Sequence, residues 1–278
     1  MLLATLLALG AAVIHAGWNL VAKRAEGDRY MVLWAQFFCG GMVSVPLLIG
    51  YQIIWGMPWQ GYLWAALSGC THLPYALLLA RAYTVGDFSV SYPVARGGGA
   101  ALAAVSGVLV LGDHLSALES IGIVVIVVGL TILARGVTQH QFLVAGALAV
   151  VIAIYTTIDA KGARATDSVA YVFGTFAGTG LSNSIYGLVT GRRHEMAVML
   201  HSNFRRALLT GIASLVTYGM VLVAVRHAAV GYVTALRESS VVLAALAGWK
   251  LLGEGDHRRR ITAALVVFAG LLVLISGG

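Results

Sequence analysis

Arg96 and Arg237 each stand in an apolar stretch long enough to be a membrane helix, at 89–111 and 231–252. A guanidinium offers a planar fork of donors that matches a carboxylate, phosphate or phosphonate. Placing one at bilayer mid-depth costs at least ~2.5 kcal/mol on insertion scales, so it should face the interior of a helix bundle and meet a partner. Two readings fit. In the first, both arginines hold an acidic solute; in the second, Arg96 caps carbonyls of a neighbouring helix while Arg237 pairs with Glu238 or Asp159. Glu238 adjoins Arg237, whereas Arg96 is followed by three glycines. Arg96 is therefore the stronger candidate for the solute, and Arg237 is expected to be held by an acid.

Residues three or four apart share a helix face. His15, Trp18 and Asn19 form one polar stripe; Ser89, Tyr92 and Arg96 a second; Thr234, Arg237 and Ser240 a third. His72 with Tyr75, Tyr155 with Asp159, and Tyr218 add polar points in other apolar runs. An ionised, unpaired carboxylate does not persist at that depth, so Glu238 is expected to be paired or protonated, with proton coupling or ammonium binding as its functional roles. The unperturbed pKa of His15 is near neutrality, which makes it a candidate proton carrier, although helix histidines are more often plain hydrogen-bonding partners. Trp18 and the tyrosines suit stacking on a solute, or simply filling the core and the interface belt. Asp159, within Asp-Ala-Lys-Gly-Ala-Arg, reads as an interfacial acid beside Lys161 and Arg164.

Pro93 and the glycines at 97–99 bracket Arg96 and suit local unwinding of that helix. Thr234 and residues 238–240, their counterparts, include neither proline nor glycine, so unwinding is expected in the first copy only; packing through small residues is the competing explanation. The triple glycine lacks the lysine and Ser/Thr of a phosphate loop. Cys39 and Cys70 lie in two different apolar runs and suggest neither a disulfide nor a metal site. Paired carboxylates, metal-spaced histidines and Gly-x-Ser-x-Gly are missing, and the loop residues His194, Glu195, Asp256 and His257 have no catalytic companions, so no catalytic residue is assigned and an enzyme is not expected.

The elements that must position these residues are membrane helices. Hydrophobic residues make up 59% of the chain and charged residues 10%, against about 25% charged in soluble domains. Apolar runs of about 20 residues recur throughout, rich in Gly and Ala and without the alternation of a β-barrel. The expected fold is all-α, integral to the membrane, with ten helices at 2–22, 30–50, 62–84, 89–111, 117–135, 142–160, 168–190, 207–226, 229–252 and 260–276. The first run has no basic n-region or small-x-small cleavage site and reads as a retained helix rather than a signal peptide.

The chain is a tandem duplication. Without a gap, Arg96, Leu102, Ala103, Ala104, Gly107, Leu111, Gly112, Val125, Gly129, Leu130 and Leu133 match Arg237, Leu243, Ala244, Ala245, Gly248, Leu252, Gly253, Val266, Gly270, Leu271 and Leu274. The two copies are 1–136 and 141–278. Five helices is an odd number, so the second copy must enter the bilayer from the opposite side, giving inverted five-helix repeats related by a pseudo-two-fold axis in the membrane plane. The net charge of +7 gathers in short connections, a membrane-topology signal rather than a nucleic-acid footprint. The positive-inside rule applied to those connections puts both termini outside.

The stretches His15-Ala-Gly-Trp-Asn-Leu-Val-Ala-Lys-Arg-Ala25, Tyr92-Pro-Val-Ala-Arg-Gly-Gly-Gly-Ala-Ala-Leu102 through Leu111-Gly112-Asp113, and 235–254 ending in Leu252-Gly253-Glu254 resemble the EamA-type branch of the drug/metabolite transporter superfamily. With the five-plus-five duplication, the resemblance spans nearly the whole chain. It implies alternating-access transport of small, mostly polar metabolites such as amino acids, sugars or nucleotides, around a cavity lined by helices 1, 3, 4, 6, 8 and 9. It also implies cytoplasmic termini, opposite to the charge count. The four-helix multidrug branch uses a glutamate in its first helix; helix 1 here has His15, Trp18 and Asn19 instead, which argues against cationic-drug efflux by that route.

The expected function is secondary transport of a small polar metabolite, anionic or zwitterionic, of amino-acid or organophosphonate type. Arg96 and Arg237 would grip the acid, with Glu238 or Asp159 near any amine. An exporter of more hydrophobic compounds with structural arginines, or a non-transporting structural or sensing membrane protein, are the alternatives. The expected partners are a small-molecule substrate and the lipid bilayer, with no nucleic acid; no cofactor is expected, proton coupling being open, and the expected location is a bacterial inner membrane.

Overall fold

Inside hydrocarbon a backbone must satisfy its own N–H and C=O groups, and long apolar runs with few breakers do so as helix. The computed structural model describes residues 1–23, 27–85, 88–136, 138–166, 169–243 and 257–277. Among these the helices are α1 Leu2–Lys23, α2 Arg29–Ile54, α3 Trp59–Thr84, α4 Phe88–Leu111, α5 Ala117–Leu133, α6 Gln139–Thr166, α7 Ala170–Val189, α8 Arg193–Ala224, α9 Val230–Arg237 and α10 His257–Ser276, with no strand. By length and hydropathy α2, α3, α4, α6 and α8 each suffice to cross a bilayer. Large apolar side chains such as Ile53, Leu109 and Val189 point outward and are more than three-quarters exposed, as a lipid-facing surface requires.

Two elements depart furthest from their expected bounds. α8 begins at Arg193 rather than 207. Its early turns stay helical because Met196 and Met199 are buried against the core, the Met196 sulfur packing onto Gly187. The expected helix 229–252 is interrupted: α9 ends at Arg237, Glu238 is a turn, and helix resumes at 239–243. The Glu238 N–H is shared between the Thr234 carbonyl at 3.2 Å and the Ala235 carbonyl at 3.1 Å. The break thus falls in the second copy, where no proline or glycine invites it, while α4 runs unbroken past 93 and 97–99. The glycines serve packing instead, with Gly97 against Leu130, Gly98 against Ala149 and Gly99 against Ile152. Residues 244–252 and the Leu252-Gly253-Glu254 ending lie outside the described residues.

Helix contacts come in exchanged pairs. α3 packs on α6 and α7, as α8 packs on α1 and α2; α4 packs on α6, as α9 packs on α1; α2 meets α7 and α5 meets α10. Swapping each helix for the one five places on leaves this pattern unchanged, as a two-fold relation between halves requires. Side chains repeat the exchange at the α5–α10 contact, where Gly129 faces Val267 and Gly270 faces Ile126, two contacts that a 141-residue shift interchanges.

One polar tie closes an end of the bundle. Gly112, at φ +71, turns the chain after α4 and brings Asp113 to Arg164 at the end of α6, 2.6 Å away. Arg164 also donates to the carbonyls of Val225 at 2.7 Å and Ala228 at 3.1 Å, and Asp113 accepts the Val230 N–H at 2.7 Å. The ends of α4 and α6 are thereby tied to the α8–α9 turn. The 141-residue shift carries this charge pair onto Glu254 and Lys23 in sequence, whose side chains lie outside the described residues.

Candidate functional site

Both intramembrane arginines are buried, Arg96 at 2% exposure and Arg237 at 4%, and their surroundings reverse the expected roles. Arg96 donates from Nε to Glu238 Oε2 at 3.0 Å and from Nη2 to Oε1 at 2.6 Å. This bidentate pair joins α4 of one half to the α9 break of the other. Arg237 and Glu238 are adjacent in sequence, so their side chains leave the helix in different directions, and Glu238 goes to Arg96. Arg237 forms no ion pair among the described residues, and its Nε has no acceptor. The arginine expected to be held by an acid is the one left without one.

Asp159 is likewise misplaced by its sequence context. α6 continues to Thr166, so Asp159 is fully buried rather than interfacial. Its carboxylate accepts from the Tyr171 hydroxyl at 2.9 Å and from the Tyr218 hydroxyl in a short contact. The basic residues expected beside it turn elsewhere: Lys161 lies over the Trp64 ring at 5.5 Å, and Arg164 binds Asp113.

A cavity of about 60 Å³ lies at the centre, room for a few waters, since roughly 10–15 Å³ holds one on this measure. Of the sequence candidates, His15, Trp18, His72, Tyr75, Arg96, Tyr155, Tyr218 and Arg237 line it. Glu238 and Asp159 stand behind the lining, engaged with Arg96 and with the two tyrosines. The side chains of Asn19 and Tyr92, and those of Ser89 and Pro93, lie outside the described residues.

The wall is also built from α2 and α7, which the expected six-helix lining omitted. Gln36 and Phe37 come from α2, and Thr175, Phe176 and Thr179 from α7; Ser214 and Thr217 of α8 complete this side. The signal was present in the sequence: Gln36 interrupts an apolar run, and Thr175 and Thr179 are one helical turn apart. The threonine hydroxyls donate to their own helices, Thr175 to the Tyr171 carbonyl at 3.0 Å and Thr179 to the Thr175 carbonyl at 2.8 Å. They offer the cavity only lone pairs. Gln36 is 1% exposed, yet neither end of its amide has a partner, and the Trp18 indole N–H has none either.

Aromatic rings, with Leu33 and Leu79, form most of the rest. His72, fixed by its Nδ1 contact with the Ser68 carbonyl at 2.9 Å, lies over Tyr155 with centroids 4.4 Å apart. Tyr75 meets Tyr155 edge-on at 5.3 Å, and Tyr218 meets His72 edge-on at 5.9 Å. His15 packs edge-on against Trp18 at 4.7 Å. The result is a small, aromatic-rich chamber with one arginine that has no carboxylate partner among the described residues, a buried amide and an indole N–H. Such donors are able to hydrogen-bond an acid group.

The model of the EamA-like transporter family matches residues 141–276. A solved structure, described only as a crystal structure of a protein, is 16% identical and superimposes with a TM-score of 0.76 over 99% of this chain and 98% of its own. At that identity the likeness concerns the fold. No curated protein sequence matches the chain.

Proposed function

Because this chain belongs to the EamA-like transporter family, within the drug/metabolite transporter superfamily, it is a multi-pass membrane transporter of small molecules, and we propose that its solute carries an acid group bound by Arg237. Members of this family are transporters rather than enzymes. The observation that carries the reading is the contrast between the two arginines. Glu238 already neutralises Arg96, whereas Arg237 is buried in the cavity wall with no carboxylate partner among the described residues. A buried, uncompensated guanidinium is unfavourable in low dielectric, and an incoming carboxylate or phosphonate offsets that with charge-assisted hydrogen bonds.

The cavity is too small for a metabolite as it stands, so the surrounding helices must part to admit one. The exchanged contacts of the two halves supply the means: rocking one half against the other opens the chamber to either face in turn. His15 is the residue we assign to any coupled proton, and a bacterial inner membrane is the location we assign. The alternative of hydrophobic export with purely structural arginines fits Arg96 but leaves Arg237 unexplained. A panel of radiolabelled acids, amino acids and neutral sugars offered to proteoliposomes, with and without a pH gradient, tests the reading. Flux confined to acid-bearing solutes is expected; flux of neutral solutes alone defeats it.

A further inference from the structure

The two acids that sequence alone would set beside a solute amine are both engaged elsewhere. Glu238 holds both oxygens toward Arg96, and Asp159 takes the hydroxyls of Tyr171 and Tyr218. No carboxylate belongs to the described wall of the cavity. We infer that the transported solute is a net anion bearing a hydroxyl group rather than a zwitterion, and that Gln36 is the residue that selects for the hydroxyl. The inference rests on the reading of Arg237 as the anchor for the acid.

The unpartnered polar atoms of the wall give a negative image of the solute. Arg237 Nε, Trp18 Nε1 and Gln36 Nε2 are donors and Gln36 Oε1 an acceptor, while the hydroxyls of Thr175, Thr179 and Thr217, which donate to their own helices, add lone pairs. A carboxylate accepts through two oxygens and satisfies the unpartnered donors of such a wall. An ammonium brings three donors and no acceptor, adds positive charge beside Arg237, and would find neutral oxygens but no carboxylate in the described wall to offset that charge. A hydroxyl both donates and accepts. It can give its proton to Gln36 Oε1 and take one from Gln36 Nε2 or the indole, whichever way the amide is turned.

The aromatic rings do not rescue the ammonium. His72 lies over the face of Tyr155, and Tyr75 and Tyr218 pack edge-on onto those two rings. Cation–π attraction is in any case weaker than the penalty of stripping an ammonium of its water without a counter-charge. A site built to hydrogen-bond a hydroxyl also discriminates strongly against the analogue lacking it, because its own buried polar groups are then stranded.

The test is uptake into proteoliposomes of acids matched in skeleton: lactate against alanine, glycerate against serine, malate against aspartate, 3-phenyllactate against phenylalanine, with propionate as the analogue of lactate without its hydroxyl. In the pairs that give flux, the hydroxy acid is expected to exceed the amino acid by about tenfold or more. Parity, or preference for the amino acid, overturns the inference and leaves the acid-anchoring role of Arg237 standing. Absence of flux for every acid removes both. Gln36→Leu is expected to bring the preference for lactate over propionate to about parity; a retained preference removes Gln36 from its role. Gln36→Met makes the same measurement if the leucine variant does not fold, and the comparison of matched acids in the wild-type protein needs no variant.

Discussion

Arg96 and Glu238, 142 residues apart in the chain, close on each other in a bidentate ion pair, 2.6 Å at its shorter contact, with each side chain only 2% exposed. The pair binds α4 of the first half to the break after α9 of the second. It also uses the one acid that could have neutralised Arg237 from the next position in the chain, which leaves Arg237 without an ion pair among the described residues.

Breaking such a pair from one side strands a buried charge, which typically costs about 3–5 kcal/mol, whereas replacing both partners with apolar residues is often neutral or better. Arg96→Ala and Glu238→Ala are each expected to lower the thermal midpoint of the detergent-solubilised protein markedly, and the double variant Arg96→Met/Glu238→Leu to recover most of the loss. Additive losses in the double variant would show that the two side chains act separately.

Close helix approach is the second testable feature. A Cβ placed on Gly69 of α3 would lie 2.5 Å from the backbone carbon of Gly178 on α7, whereas one on Gly146 of α6 meets nothing within 4 Å. Gly69→Ala is expected to destabilise by about 1–3 kcal/mol, as overpacking does, and Gly146→Ala to be near neutral. Thermal melting of the two variants side by side checks this; equal midpoints would mean that α3 and α7 do not touch through these glycines.

Much of this architecture was legible in the chain, and the failures share one cause. Period and hydropathy located the helices, because these are properties of local sequence. Eight of the twelve candidate site residues line the cavity because a polar side chain in an apolar helix has few places to go. Partnership was not legible. Glu238 is adjacent to Arg237 and pairs with Arg96, and Asp159 sits among Lys161 and Arg164 and binds two tyrosines from other helices. Sequence neighbours on a helix leave it in different directions, so tertiary packing assigns the partners. Gln36 interrupts an apolar run, but that local signal does not say which face of α2 meets the cavity.

At the membrane edge, Asp28 accepts the Met31 N–H at 3.0 Å and meets Arg192 at 2.9 Å, joining the start of α2 to the α7–α8 turn. Burial opposes ionisation of this carboxyl, but the Met31 N–H and the Arg192 guanidinium outweigh it and hold its pKa below the ordinary value. A carboxyl depressed in the folded state contributes stability that is present above its unfolded pKa of about 3.9 and is lost as pH falls through the folded one. The Asp28 side chain is 47% exposed, so solvent screening limits the contribution to about 1 kcal/mol or less. Asp28→Asn is expected to melt slightly below the wild type at pH 6, with the gap closing below about pH 4. A gap that widens on acidification would contradict this sign.

The most direct measurement is uptake of an acid-bearing solute by proteoliposomes carrying Arg237→Gln, alongside the wild type and matched for folded protein by thermal midpoint. Removing a charge-assisted contact made only to the solute should reduce uptake at least tenfold, by about 1.5–3 kcal/mol of lost interaction, while the midpoint stays level or rises as the unpaired buried charge disappears. Arg237→Gln protein that folds normally and carries the acid at the wild-type rate would contradict the assignment of Arg237 as the anion anchor.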